Sequence, residues 1–231
     1  MTPELLRANY KKLLPIVGNT FDEEPLYVSL AEDSKYYSLF VNATQMEFQK
    51  SLDKLMLSEG TSWSISGYLE NRATILSEYP QMVTEERFYH LGIDINLPCA
   101  TKLYAPNDGE VVLSRYESGK GNYGGMTVLK IQNGHTYYML FGHLNPHKLP
   151  VLGKTLEKGE EFAQLGDMNH NGNWYCHTHL RISKNPLNCH PNLIRFSSTM
   201  LAIVINKFSR FWFYLYLKIL ALKVAIIPSA L

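Results

Sequence analysis

The sequence predicts a mainly β protein built on an antiparallel β-sheet core, with a small helical appendage on its N-terminal side. Three observations carry that expectation. From about residue 80 to 190 the chain is a series of short β-rich runs divided by Gly, Pro and Asn, among them "HLGIDINLP", "LYAPNDGEVVLSRY" and "HTHLRIS". One run, "MTVLKIQNGHTYYMLF", alternates apolar residues on both sides of an Asn-Gly, the strongest short-range hairpin signal. Ahead of these, "ATQMEFQKSLDKLMLSEG" repeats Phe48, Leu52, Leu55 and Met56 at helical spacing and stops at Gly60.

With 231 residues the chain has room for one typical domain plus appendages, or for two small domains. Composition divides it into a mixed, helical region over 1–65, a β domain over 66–195 and an apolar tail over 196–231. An apolar content of 45%, a charged content of 19% and a formal net charge of +1 exclude a disordered chain and the electrostatic footprint of a nucleic-acid binder. Cys99, Cys176 and Cys189 are too few and too scattered for a disulfide framework, which fits a reducing compartment without establishing one.

The first residues mix charges among short apolar patches and lack the continuous apolar core of a secretory signal. The tail is dense in apolar and aromatic residues, yet its longest uncharged run, Phe196 to Asn206, is 11 residues. That is short of the ~20 a membrane span requires. Basic residues interleaved with Trp212, Phe213 and Tyr214 fit contact with a membrane surface. A packing tail and a stretch translated out of frame are the blander readings.

Chemistry has to come from the eight histidines. In "HLGID", His90 and Asp94 are four apart, but Gly92, Ile93, Ile95 and Pro98 favour an extended segment. A straight strand would hold their Cα atoms roughly 13 Å apart at about 3.3 Å per residue, too far to share an ion. A shared metal therefore requires a bend, which Gly92 permits. In "HTHLRIS", strand alternation sends His177 and His179 to one face and Thr178 and Leu180 to the other. Such a pair converges on one ion, divides between binding and proton transfer, or is an ordinary cross-strand pair. His143 follows a strand and the flexible Gly142 in "FGHLN". His135 belongs to the hairpin turn and is expected to be exposed, while His147, His170 and His190 stand in loops with nothing to orient them.

The joint order is more specific than its parts. HxxxD, a Gly-His-Leu about 50 residues later and HxH about 35 after that all lie in one β-rich stretch. This pattern resembles the lysostaphin/LytM-type zinc metallopeptidases, the peptidoglycan endopeptidases of metallopeptidase family 23. "YAPNDGEVV", "YGGMTVLKIQNGHTYYMLFGHL" and "LEKGEEFAQLGD" resemble further motifs of that family, and the likeness covers roughly residues 85 to 190. It implies the lysostaphin-type, duplicated hybrid motif fold. It also implies a Zn2+ cofactor on His90, Asp94 and His179, with His143 and His177 as catalytic, non-ligand histidines. Three protein ligands leave zinc an open position, as a catalytic site requires. The implied substrate is a peptide bond of peptidoglycan or a muropeptide.

Two positions depart from the family pattern. Cys176 stands where the family usually has Pro before HxH, and Leu180 where it has an aromatic residue after it. By alternation Cys176 points away from His177 and is expected to be a packing residue. Trp174 and Tyr175 are expected to line the groove or cap the core. A non-catalytic member that binds or regulates at the cell wall is the alternative, although all five site positions are present. A histidine phosphocarrier has no need of Asp94 in HxxxD. Localisation is open: peptidoglycan lies outside the cytoplasm, and no export signal is visible.

Overall fold

The computed structural model describes residues 10–18 and 21–185. The tail 196–231, with its expected membrane contact, and Cys189 and His190 lie outside the described residues. Among the described residues no helix is long and apolar enough to cross a membrane.

In chain order the strands are β1 (Leu26–Tyr27), β2 (Ser64–Ser66), β3 (Ile93–Asn96), β4 (Lys102–Tyr104) and β5 (Gly109–Glu117). They continue with β6 (Gly124–Asn133), β7 (His135–Leu144), β8 (Thr155–Leu156), β9 (Glu161–Gln164) and β10 (His177–Ser183). The helices are α1 (Tyr37–Phe40), α2 (Gln45–Ser58) and α3 (Pro80–Thr84). One sheet runs β1-β2-β3-β10-β7-β6-β5-β8, and β4 pairs with β9 in a second, two-stranded sheet. Apart from the parallel β1–β2 pair, these ladders are antiparallel, so the mainly β, antiparallel architecture is the one expected.

The hairpin forms where the Asn-Gly places it. Asn133 pairs with His135 across Gly134, whose φ of 71° suits a residue without a side chain, and His135 is exposed. In β3, Ile93 and Ile95 enter the main core with Leu180 of β10, leaving Asp94 and Asn96 on the opposite face. The register then decides what meets. His179 stands directly opposite Asp94 and His177 opposite Asn96, so HxH and the HxxxD aspartate share one face of adjacent strands.

The expected helix is α2, capped by Thr44, whose side chain accepts from Glu47 N while Glu47 reaches back to Thr44 N. Phe48, Leu52 and Met56 form its buried stripe. This N-terminal segment also contributes β1 and the start of β2 to the large sheet. Leu13, Ile16, Val17, Phe21 and Trp63 share the core of Ile93, Ile95 and Phe141. These N-terminal residues are thus built into the sheet as well as carrying a helix.

One expectation is corrected. Cys99 and Cys176 form a disulfide, with Cα atoms 5.2 Å apart and a sequence separation of 77. The β3–β10 register explains it: Cys99 lies three residues past Asn96 and Cys176 one before His177, so the pairing brings the two ends together. Spacing along the chain carries no trace of this proximity.

Phe48 stacks on Phe40 and on Tyr175, with ring centroids 4.2 Å away in each case. Phe48→Ala is expected to cost about 3–5 kcal/mol in denaturant unfolding. A loss under about 1 kcal/mol would show that α2 does not pack as described. Cys99→Ser is expected to lower stability by about 2–4 kcal/mol, and the intact protein is expected to weigh two hydrogens less under non-reducing than under reducing conditions. Equal masses would remove the disulfide.

Candidate metal and catalytic site

The five candidate residues meet at one place on the β3–β10 face. His90 precedes β3, and the chain turns through Leu91 and Gly92 into the strand, so the bend that a shared site requires is present. As a result His90 Nε2 lies 3.0 Å from Asp94 Oδ1. Cross-strand, His179 Nδ1 lies 3.2 Å from Asp94 Oδ1 and 2.9 Å from His90 Nε2. Gly92 is needed for space as well as for the bend. A Cβ there would sit 2.6 Å from His179 Nε2 and 2.7 Å from the Leu180 carbonyl.

His177 and His143 stand beside this triangle. His177 Nε2 is 3.7 Å from Asp94 Oδ1, and the His143 and His177 ring centroids are 4.3 Å apart. His143 reaches the site because β7 carries an irregularity against β6 between Gly125 and Thr127, with φ of 62° at His143 itself. A bulge of this kind re-aims a side chain. A positive φ at a non-glycine residue is a local strain that surrounding contacts must hold. Here His143 N donates to Tyr123 O at 2.8 Å, and His143 O accepts from Gly166 N at 3.0 Å.

Backbone carbonyls set the tautomers. A carbonyl only accepts, so His90 Nδ1 donates to Gly67 O at 2.6 Å, His143 Nδ1 to Asn171 O at 2.8 Å and His177 Nδ1 to Tyr175 O at 2.8 Å. In each neutral ring the Nε2 lone pair is then free for the site. His179 is turned the other way, with Nδ1 in the triangle and Nε2 buried against Gly92.

The charges follow from burial and from neighbours. Burial works against the Asp94 carboxylate, but His90, Arg72 and His177, with the hydrogen bond to His179, outweigh it and hold Asp94 well below the usual range. Burial, followed by repulsion from His177, pushes His143 well below the ordinary imidazole value. Burial likewise lowers His177, and pushes His179 down to about 4. His143, His177 and His179 are therefore neutral near pH 7, able to bind a cation or accept a proton.

His90, Asp94 and His179 form a group that could hold a metal ion. Four ligands around zinc at 2.0–2.1 Å require donor separations of ~3.3 Å. The three separations of 2.9 to 3.2 Å approach that figure. Two imidazoles and one carboxylate are also a donor set that zinc accepts, and two of the three are tied from outside as metal ligands usually are, His90 Nδ1 by Gly67 O and Asp94 Oδ2 by Arg72, while His179 Nε2 is buried without a hydrogen-bond partner among the described residues. The residues present fit the ion.

The triangle opens into a cavity of about 480 Å3, lined among others by Tyr123, Trp174, Tyr175, Gln81, Met82 and Arg87. Trp174 and Tyr175 both line this cavity and are buried, so they belong to groove and core together. Outside it, His170 Nδ1 is 2.7 Å from Asp167 Oδ1 and the His147 ring is 5.4 Å from that of His170, with both outside the cavity lining.

Three supports have no signature in the motifs. Arg72 Nη1 donates to Asp94 Oδ2 at 2.7 Å, with Glu70 holding the guanidinium. Tyr175 stacks on the His177 ring at 4.3 Å and places its hydroxyl 3.5 Å from Asp94 Oδ2. Asn171 clamps its own loop, Nδ2 donating to Trp174 O and Oδ1 accepting from Trp174 N, both at 2.9 Å, and so aims the carbonyl that holds His143. Of these, Asn171 has a faint sequence cue, a turn-forming residue in "NHNGN".

Residues 88–191 match Peptidase family M23. The peptidoglycan DD-endopeptidase ShyA of Vibrio cholerae is 27% identical over 159 residues, covering 69% of this chain and 33% of that protein. The chain thus spans about a third of that relative's length. Among solved structures, a zinc-containing peptidase from Vibrio cholerae is 25% identical, covering 41% of this chain and 27% of the other, with a TM-score of 0.34. The catalytic domain of the antimicrobial peptidase lysostaphin from Staphylococcus simulans is 23% identical, covering 41% of this chain and 67% of the other, with a TM-score of 0.32.

Gly92→Ala is expected to destabilise the protein by about 1–3 kcal/mol, because the Leu180 carbonyl cannot swing away as a side chain would. Urea unfolding measures this, and an unchanged midpoint would mean that the Leu180 carbonyl does not approach Gly92 as described.

Proposed function

We propose, on the match of residues 88–191 to peptidase family M23, that the protein is a zinc-dependent endopeptidase that hydrolyses peptide bonds in peptidoglycan stem or cross-link peptides. The observation that carries this reading is the meeting of the donor atoms of His90, Asp94 and His179 within 3.2 Å of one another, next to two neutral imidazoles. His90 Nε2, Asp94 Oδ1 and His179 Nδ1 hold the ion. Zinc in such a site supplies Lewis-acid polarisation of a peptide carbonyl and acidifies water.

The rest falls to the side chains. His143 and His177 present Nε2 lone pairs, and their buried, neutral state lets them take the proton of the attacking water and return it to the departing amine. The Asp94 carboxylate, 3.7 Å from His177 Nε2, favours the imidazolium formed in between. That imidazolium in turn faces the oxyanion developing on the substrate. The cavity walls of Tyr123, Trp174 and Met82 take the peptide and exclude water from the bond being cut. A non-catalytic role at the cell wall has no specific observation in its favour.

The Cys99–Cys176 disulfide supports an oxidising compartment, where peptidoglycan is also found. We accordingly place the protein outside the cytoplasm.

The test pairs metal content with products. The intact protein is expected to carry one zinc, to release amines from purified peptidoglycan and to lose that activity to a chelator. Product mass spectrometry on defined muropeptides identifies the bond. His143→Ala is expected to keep zinc and lose about 10²–10⁴-fold in rate. His90→Ala and Asp94→Ala are expected to lose the zinc. If His143→Ala emptied the site, the division into ligands and proton carriers would be wrong, and a parent protein with neither zinc nor amine release would end the enzyme reading.

A further inference from the structure

The segment 67–72 contains none of the five proposed site residues, yet it reaches both of those on the His90–Asp94 stretch. At its start, Gly67 O accepts from His90 Nδ1 at 2.6 Å. At its end, Arg72 Nη1 donates to Asp94 Oδ2 at 2.7 Å. The segment is registered against the returning chain, with Leu69 N donating to His90 O, His90 N to Glu70 O and Arg72 N to Phe88 O, at 2.7, 2.9 and 2.8 Å.

Arg72 is itself fixed. Its Nε and Nη2 donate to Glu70 Oε2 at 3.1 and 2.9 Å, and the two side chains are 9% and 6% exposed. Glu70 in turn accepts from Gly67 N at 2.9 Å, Leu30 N at 3.3 Å and the Tyr27 hydroxyl at 3.4 Å. A carboxylate has two equivalent oxygens and a rotatable stem, so its orientation toward an ion must be imposed from outside.

Resting on the reading of His90, Asp94 and His179 as zinc ligands, we propose that Arg72 is a positioning residue for the metal site. It engages Asp94 Oδ2 and so leaves Oδ1 alone to face His90 and His179, while Glu70 locks the guanidinium in that pose. The planar fork is essential, because one edge serves Glu70 and a third nitrogen reaches Asp94. A lysine ammonium is a compact point charge and cannot hold both with the same geometry. Outer partners of this kind are worth 10–100-fold in metal affinity.

The experiment measures the zinc affinity of the full chain by competition with a chromophoric chelator, for the parent, Arg72→Lys and Arg72→Gln. Thermal unfolding of each metal-free protein and the visible absorption of each cobalt-loaded form are recorded alongside. Arg72→Lys keeps the charge between two carboxylates. It is expected to bind zinc about 10–100-fold more weakly and to alter the cobalt spectrum, with metal-free unfolding close to the parent's. Arg72→Gln strips the compensating charge and is expected to unfold at lower temperature, so Arg72→Lys decides. An Arg72→Lys protein with parental zinc affinity and cobalt spectrum overturns the inference, whatever its unfolding temperature, and leaves the ligand reading intact. A parent that binds no zinc overturns the ligand reading itself.

Discussion

A carboxylate buried at 1% exposure in the middle of a sheet is the constraint on which the rest of this structure depends. Removing such a charge from water costs several kcal/mol, and the structure must offset that cost on every side of Asp94. Oδ2 takes the Arg72 guanidinium, and Oδ1 faces His90, His179 and His177. Arg72 then needs a second anion, which is Glu70, and Glu70 needs donors, which come from Gly67, Leu30 and Tyr27. The charges alternate inward from β1 to β3. This ties the N-terminal strands to the candidate site and makes the segment before residue 65 part of its foundation.

The imidazoles are governed by a different device. Three of them surrender Nδ1–H to main-chain carbonyls of Gly67, Asn171 and Tyr175, all outside regular strands. Carbonyls in loops can be aimed freely, whereas those in a ladder are already committed. The consequence is that loop conformation, more than strand geometry, decides which nitrogen each histidine presents. The left-handed backbone of His143 belongs to the same economy: strain of about 1–3 kcal/mol is held in place by ladder and loop hydrogen bonds in order to turn one ring toward the cavity.

What could be read from the sequence was what depends on short-range periodicity. The Asn-Gly hairpin, the α2 stripe and the shared face of His177 and His179 each follow from residues within a few positions of one another. The turn at Gly92 was legible only conditionally, as something a shared site would require. Arg72 was hidden because its partner is 22 residues away and nothing local marks "LENR" as structural. Asn171 serves His143 through its backbone carbonyl, which any residue type possesses. The disulfide needed the β3–β10 register, and three cysteines at irregular spacing do not encode a register.

That register also makes sense of Cys176, which stands where the resembling family usually has proline. Replacing proline with cysteine adds a backbone N–H and a thiol at the mouth of β10, and a buried donor left without an acceptor would cost about 1–3 kcal/mol. Both additions are answered. Cys176 N donates to Gln49 Oε1 at 2.6 Å, and its neighbour Tyr175 N donates to Gln45 Oε1 at 3.0 Å. The thiol is taken up by Cys99. Gln45 and Gln49 are one helical turn apart on α2, so a single helix face meets two consecutive amides that no β ladder claims. Between them Phe48 stacks on Tyr175, and Tyr175 stacks on His177. The departure from proline therefore converts the entry to the HxH strand from a conformationally fixed residue into a contact held by the N-terminal helix. In this chain the helix packs directly against the entry to the strand that carries His177 and His179.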